Sequence, residues 1–155
     1  RQRIGDMVAP SQEMDAVAKK LKEWAAEDKR PLCDYAVLCR TKEEVFAVGK
    51  ALKQRHLECL EIKTEEDDGI LKDSVRIATM HRAKGLEFGG VVLPRLNKGV
   101  WPLKPAGFDG LDQVSQRAHL AGELSLLYVA ITRAMKHVWL SGVGEVPEEL
   151  AVQQP

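Results

Sequence analysis

The segment VRIATMHRAKGLEFGGVVLP (residues 75–94) joins two apolar stretches through a loop that carries both signs of charge. The first stretch, VRIATM (75–80), and the second, GGVVLP (89–94), are short and largely apolar, which is typical of strands covered on both faces of a sheet. Gly85 stands among the charges, and a glycine there indicates a backbone that turns sharply or is closely approached. The segment therefore predicts two strands of a buried sheet, connected by a polar loop.

The same kinds of pattern extend towards both ends of the chain. Three more short apolar runs predict strands: YAVLC (35–39), LECLEI (57–62) and HVWLSG (137–142). Apolar residues at helical spacing predict three helices: one from Pro10 that ends at DKRP (28–31), one that follows Thr41, and one over 123–137. Thr41 and Glu44 have the spacing of a capping box. Lys136 and His137 are expected in the last turn of the third helix, where the helix dipole favours cations.

Strands and helices alternate along the chain. This order predicts an α/β fold with a mainly parallel sheet flanked by helices. We expect a single domain over residues 1–145 and a C-terminal tail over 146–155. The acidic segment TEEDDG (64–69) indicates a solvated loop, and a second loop, rich in Gly, Pro and Trp, covers residues 97–110.

Composition limits the classes of function. The 155 residues (17.2 kDa) suit one ordinary globular domain. Lys plus Arg and Asp plus Glu both number 23, so nothing indicates a strongly basic nucleic-acid wrapper, although a few well-placed residues could still contact nucleic acid. The cysteines lack CxxC spacing, and Cys39, in an apolar run, is expected to be a core residue rather than a reactive one. No apolar stretch reaches the roughly 18 residues of a membrane span, so no membrane partner is expected.

Polar residues follow the predicted strands. After the first strand come Arg40, Thr41 and Lys42, and after the third come Thr79, His81, Arg82, Lys84 and Glu87. Ligands of open α/β sheets bind beyond the carboxyl ends of the strands, so in a parallel sheet we expect both groups along one edge. Arg133 stands in a mostly apolar helical segment. A guanidinium there needs a carboxylate, a phosphate or an aromatic face, which leaves an internal ion pair and an anion-binding role both open.

Three segments resemble the motifs of one family, the UvrD/Rep-like superfamily-1 DNA helicases. Residues 75–94 resemble its motif V, ELSLLYVAITRAMKHVWLSG (123–142) resembles motif VI, and YAVLCRTKEEVFAVGKAL (35–52) is similar to motif IVa. They occur in the family's order, include T-x-H-x-x-K-G-L-E-F and Y-V-A-x-T-R-A, and span most of residues 35–142. The resemblance implies the second RecA-like lobe of such a motor, an α/β lobe of the P-loop NTPase type that lacks its own Walker A motif.

The resemblance also implies roles for individual residues. In the family, ATP binds between two RecA-like lobes, and single-stranded DNA crosses their surface. Arg133 matches the arginine finger that reaches the γ-phosphate, and Gly85 and Glu87 match a pair near the nucleotide. Three residues match positions on or near the DNA path: Arg40, Thr79 and His81. Three more match supporting positions, two around the finger and one in the loop: Glu123, Tyr128 and Lys84.

Several residues have a purely structural alternative. Thr79 could satisfy a backbone group at the strand end, and His81 could cap a turn. Tyr128 could pack on its helix, and Lys84 could be a solvated charge. Trp101 could stack a base or fold back onto the core.

The sequence lacks features of a first lobe. No G-x-x-x-x-G-K-[ST] motif occurs, so we expect Mg²⁺ to be held by a first lobe of the same protein and this chain alone to hydrolyse essentially no ATP. No metal site is expected in the chain itself. The sequence begins RQRIGDMV, with Arg and not an initiator Met at its first position, which suggests a piece of a longer protein. Only 12 residues separate Ile62 from Val75, where larger family members insert an accessory subdomain.

Three functions remain open, and the third of them, a nuclease–helicase fusion, depends on sequence downstream of residue 155. The first is the C-terminal motor lobe of an ATP-dependent DNA helicase or translocase, located in the cytoplasm and associated with the nucleoid if the protein is bacterial. The second is a stand-alone, catalytically inactive RecA-like module that binds DNA or a protein partner.

Overall fold

The computed structural model describes residues 9–63 and 71–151, and the predicted acidic loop 64–69 lies outside them. In chain order the elements are α1 (Pro10–Asp28), β1 (Tyr35–Cys39), α2 (Lys42–Lys53), β2 (Cys59–Glu61), β3 (Val75–Thr79), β4 (Phe88–Leu93), α3 (Gln113–Ile131), β5 (Ala134–Leu140) and α4 (Glu148–Ala151). Single turns of 3₁₀ helix at Leu32–Asp34 and Phe108–Gly110 precede β1 and α3.

The described strands form one parallel sheet in the order β2-β3-β1-β4-β5. The predicted fold class, a parallel α/β sheet flanked by helices, is confirmed. β1 has the bounds that the sequence predicts, and β3 and β4 agree within one residue at each end. β2 is shorter than the predicted run 57–62: it comprises only Cys59–Glu61, which pair with β3.

α1 begins and ends where the sequence predicts, and α2 begins directly after Thr41, as predicted. Pro10 lies in the first turn of α1, where its missing N–H is not needed, and Lys29 ends the helix in the left-handed conformation with φ 53°. Thr41 Oγ1 caps α2 by accepting a hydrogen bond from the Glu44 N–H at 3.3 Å. The reciprocal half of the capping box is absent, because the Glu44 carboxylate accepts a hydrogen bond from Arg95 Nε at 3.0 Å.

Apolar side chains fill both faces of the sheet. α1 and α2 cover one face, where Leu21, Trp24 and Leu52 are part of the buried core. α3 covers the other face with Leu127 and Ala130. Truncating a buried leucine to alanine typically costs about 2–5 kcal/mol, so these contacts hold the helices on the sheet.

Trp101 and Cys39 both belong to the core. Trp101 is 0% exposed and packs in the core beneath α3, so the structural alternative for this residue is confirmed over base stacking. Cys39 is fully buried, and burial raises the pKa of its thiol, as expected of an unreactive core cysteine. Within the described residues, no helix combines the length and apolar character needed to cross a membrane.

The boundary between α3 and β5 differs from the sequence prediction. α3 ends at Ile131, and β5 begins at Ala134, so Lys136 and His137 lie in a strand and not in the last turn of a helix. Parallel pairing of this segment with β4 overrides its local helical periodicity.

α3 also begins well before the predicted helix. Gln113 opens it, and the Asp112 side chain caps it by accepting a hydrogen bond from the Ser115 N–H at 3.4 Å. Part of the predicted tail is helical as well, since α4 lies there and Leu150 packs against the core beneath α3.

Candidate functional site at two edges of the sheet

Glu87 and Arg133 stand side by side at the amino edge of the sheet. Each is the residue immediately before a strand, β4 for Glu87 and β5 for Arg133. The Phe88 N–H donates a hydrogen bond to the Arg133 carbonyl at 2.9 Å, and Phe88 pairs with Ala134 in the sheet register. The two side chains therefore start from neighbouring points of the backbone.

This position corrects the expectation that Glu87 belongs with the residues beyond the carboxyl ends of the strands. β3 and β4 are both parallel to β1, so residues 80–87 must return the chain from the carboxyl edge to the amino edge. Thr79 and His81 lie at the start of this connection, and Glu87 lies at its end. The charges of the loop are therefore divided between two edges of the sheet.

The Arg133 guanidinium has no acidic partner in the described part of the chain. Its Nε donates to the Val129 carbonyl at 3.3 Å, and its Nη2 donates to Thr132 Oγ1 at 3.3 Å. Both acceptors are neutral groups at the end of α3. Among residues 9–63 and 71–151, the internal ion pair that the sequence left open is not formed, so the charge is available to an anion.

Gly85 and Glu87 shape the loop beside Arg133. Gly85 has φ 85°, which other residues adopt with strain, and a Cβ there would meet nothing within 4 Å, so the turn and not crowding requires glycine. Glu87 is exposed and lines a cleft of about 360 Å³ together with Asp28 and Lys136. Arg133 is not one of the described residues that line this cleft, so a ligand touching both Glu87 and Arg133 would extend beyond it.

The carboxyl edge holds the residues predicted to contact DNA. The register pairs Cys39 with Thr79, so Arg40, Thr79 and His81 emerge at the same edge. Thr79 Oγ1 accepts a hydrogen bond from the Arg82 N–H at 3.2 Å, so the structural alternative for Thr79 is present. His81 is exposed, and its ring makes no hydrogen bond to another described residue.

Arg40 is bound inside the domain by Glu123 of α3. Its Nε donates to Glu123 Oε2 at 2.9 Å and its Nη2 to Oε1 at 2.6 Å, the fork-to-carboxylate geometry of strong ion pairs. The Arg40 side chain is 13% exposed and that of Glu123 is 5% exposed. Burial acts to raise the pKa of Glu123, but hydrogen bonds from Arg40 and from the Leu103 N–H outweigh it, and the pKa lies below its ordinary value.

These contacts change the roles expected of the supporting residues. Glu123 holds Arg40 and not the surroundings of Arg133, which lies ten residues further along the chain. Arg40 keeps one donor group, Nη1, without a partner among the described residues, so a DNA contact would rely on that group. Tyr128 is 69% exposed, so it does not pack within the described part of the chain. Lys84 is exposed too, as expected of a solvated charge.

Sequence reasoning missed a polar cluster at the amino edge. Asp28, the last residue of α1, accepts hydrogen bonds from Tyr35, Lys136 and His137. Asp28 and His137 are 109 residues apart, so neither spacing nor periodicity could have joined them. The described residues include no group of three or more His, Cys, Asp or Glu that could hold a metal ion.

Comparison with known sequences gives a family and several relatives. The model of the UvrD-like helicase C-terminal domain matches residues 60–144 of the 155. A probable DNA helicase II homolog of Mycoplasma pneumoniae is 30% identical over 72% of this chain and 14% of its own length. The ATP-dependent DNA helicase PcrA of Bacillus subtilis is 38% identical over 53% of this chain and 10% of its own length. The chain thus spans only 10–14% of the length of these relatives.

A solved structure supports the fold. The C-terminal domain of a possible DNA helicase from Lactobacillus plantarum WCFS1 superposes with a TM-score of 0.68 at 24% sequence identity, covering 96% of this chain and 78% of that one. The matched family segment, residues 60–144, contains the loop that ends at Glu87 and the whole of α3 and β5. The chain therefore belongs to the family of UvrD-like helicase C-terminal domains.

Proposed function

We propose that this chain is the C-terminal motor lobe of an ATP-dependent DNA helicase or translocase and works against a first RecA-like lobe of the same protein. Membership of the UvrD-like family supports the motor, and so do the names of the relatives, which are DNA helicases. The short share of those relatives that the chain covers supports a partner lobe in the same protein.

The amino edge is the proposed nucleotide edge, and one observation carries the proposal. The hydrogen bond from the Phe88 N–H to the Arg133 carbonyl puts Glu87 and Arg133 on adjacent strand starts. A carboxylate there can accept hydrogen bonds from ribose hydroxyls, and Gly85 allows the turn that presents it. A guanidinium that has no acidic partner among residues 9–63 and 71–151 fits the triphosphate end of the same ligand.

Arg133 is the proposed arginine finger. Charge spreads over the equatorial oxygens of the phosphoryl group in the transition state of phosphoryl transfer. A planar, permanently charged guanidinium can donate two hydrogen bonds to that group, whereas an ammonium acts as a point charge. In this proposal the first lobe supplies the phosphate-binding loop and holds Mg²⁺, because the present sequence has no Walker A motif. The chain alone should then hydrolyse essentially no ATP.

The carboxyl edge is the proposed path of single-stranded DNA. His81 is exposed, and its ring has no hydrogen-bond partner in the described part of the chain. Thr79 keeps a hydroxyl that can donate while it accepts from the Arg82 N–H. Nη1 of Arg40, which has no partner among the described residues, is a further charged donor at that edge, and the exposed Lys84 lies in the loop that starts there. Such contacts to phosphate oxygens position a strand without reading its sequence.

The test uses the complete protein that carries this chain. Arg133→Ala should lower DNA-stimulated phosphate release at saturating ATP by about 10³-fold or more, while a fluorescent ATP analogue still binds. Arg117→Ala is the control, because it also removes an arginine, but one that is exposed on α3 and far from the start of β5 in the sequence. Undiminished hydrolysis by Arg133→Ala would defeat the finger assignment.

A further inference from the structure

The carboxylate of Asp28 collects three hydrogen bonds at the amino edge. Tyr35 Oη donates to Oδ2 at 2.7 Å, His137 Nε2 donates to Oδ2 at 2.9 Å, and Lys136 Nζ donates to Oδ1 at 2.5 Å. Because a carboxylate only accepts, the proton of the neutral imidazole must be on Nε2. The cluster joins α1, β1 and β5, and the Asp28 side chain at its centre is only 10% exposed.

The rings around Asp28 are fixed by close packing. The imidazole of His137 stacks on Trp24 with centroids 4.9 Å apart and planes at 8°. Gly90 faces His137 in the β4–β5 register, and a Cβ at Gly90 would lie 2.8 Å from Trp24 and 2.9 Å from Tyr35. The space for any side chain at Gly90 is therefore already occupied by the two rings, and one of them, Trp24, stacks on His137.

The cluster meets β5 at an irregularity. Phe88 pairs with Ala134 and Gly90 pairs with His137, so two steps along β4 correspond to three steps along β5. One extra residue of β5, Met135 or Lys136, is thus accommodated between these pairs as a β-bulge. A bulge interrupts the regular ladder and redirects the strand, and bulges are frequent beside active sites. The ladder holds Ala134 and His137, whereas residues 135 and 136 between them have no register partner in β4 and are held more by their side chains.

We propose that Asp28 is a positioning residue for Arg133: by holding Lys136 and His137 at the bulge, it sets the direction in which the Arg133 guanidinium leaves the sheet edge. The inference rests on the proposed function, because it matters only if Arg133 meets the nucleotide. The hydrogen bonds from Lys136 and Tyr35 hold the pKa of Asp28 well below its ordinary value, so the acceptor stays ionised at neutral pH.

Asp28→Asn in the complete protein tests the inference. The amide keeps the shape but turns one acceptor into a donor, which can no longer accept from the β5 side chains in the same way. A finger displaced by a fraction of an ångström should lower turnover by about ten- to hundredfold while an ATP analogue still binds. Asp15→Asn is the control, since Asp15 is another aspartate of α1 that pairs with Arg55, away from β5.

Combination with Arg133→Ala separates positioning from general damage. If Asp28 acts through Arg133, adding Asp28→Asn to Arg133→Ala should lower the residual turnover by less than about twofold. That turnover is measured with enzyme in excess, so that slow hydrolysis can be followed. An equal loss in both backgrounds, or no loss in the native background, would overturn the positioning role while leaving the finger intact. Full activity of Arg133→Ala itself would instead overturn the proposed function.

A second variant covers the case in which Asp28→Asn fails to fold. Lys136→Met removes the donor next to the bulge but keeps a side chain of similar length, and Lys136 is already 64% exposed. Lys136→Met alone should lower turnover as much as Asp28→Asn does. Added to Arg133→Ala, it should cause no further loss. Native turnover in Lys136→Met, with native thermal stability, would count against the inference.

Discussion

Arg40 and Glu123 form a buried ion pair that ties the carboxyl end of β1 to α3, with three hydrogen bonds of 2.6, 2.9 and 3.2 Å between the guanidinium and the carboxylate. The same carboxylate accepts the Leu103 N–H at 3.1 Å, so it also fixes the loop that precedes α3. α3 ends beside Arg133. The pair therefore anchors the helix that connects the two edges of the sheet.

Removing one partner of this pair should destabilise the domain strongly. Arg40→Ala leaves the Glu123 carboxylate buried without its counter-ion, and breaking a buried pair in this way typically costs about 3–5 kcal/mol. Urea denaturation of the 155-residue chain measures the free energy of unfolding. The control is Glu145→Ala, whose pair with Lys98 is 3.3 Å long and about 76% exposed on both sides, so the change should stay within about 1 kcal/mol. Equal losses for the two variants would show that the Arg40–Glu123 pair is not an anchor.

Acid should weaken the domain partly through Glu123. The folded-state pKa of Glu123 lies below its ordinary value, so its ionisation contributes stability that is present above the unfolded pKa of about 4.3. That contribution is lost as the pH falls through the folded pKa. The free energy of unfolding should therefore fall between about pH 5 and pH 3, and it should fall less steeply in Glu123→Gln. Parallel pH curves for the two proteins would contradict this origin of the acid sensitivity.

The sheet was predictable because its strands have a simple signal. Each central strand is a short apolar run covered on both faces, and YAVLC gave β1 its bounds to the residue. The boundary between α3 and β5 was not predictable, since Ala134 to His137 continues the helical periodicity of the preceding residues. Only the pairing with β4, which is a contact between distant parts of the chain, makes that segment a strand.

The site was predictable as a set of residue types but not as an arrangement. The motif residues could be named from the sequence, whereas their division between two edges required the direction of β4 relative to β3. The partner of Glu123 depends on which side chains the fold brings together across 83 residues. Asp28 carries no local pattern, and its three donors become neighbours only after α1 packs beside β5.

Two glycines should respond in opposite directions to replacement by alanine. Gly85→Ala puts a Cβ on a residue with φ 85°, which should lower the free energy of unfolding by about 1–2 kcal/mol although the space around it is open. Gly122 lies inside α3, also in open space and without positive φ, so Gly122→Ala should raise it by about 0.5–1 kcal/mol. Thermal unfolding of both variants of the 155-residue chain measures the shifts. A neutral Gly85→Ala would mean that the loop reaches Glu87 without the left-handed turn.

His81→Ala should weaken binding of single-stranded DNA by the complete protein. His81 is exposed at the carboxyl edge with a ring that has no hydrogen-bond partner in the described residues, so a phosphate oxygen is a fitting acceptor. Loss of one hydrogen bond to a charged group is worth about 1.5–3 kcal/mol, or roughly tenfold or more in the dissociation constant. Fluorescence anisotropy with a labelled oligothymidine at fixed salt measures this dissociation constant. Lys53→Ala is the control: Lys53 is also exposed but ends α2 at the opposite edge, so its removal should change the affinity little. Equal weakening by both variants would point to diffuse electrostatic attraction instead of a DNA path along the carboxyl edge.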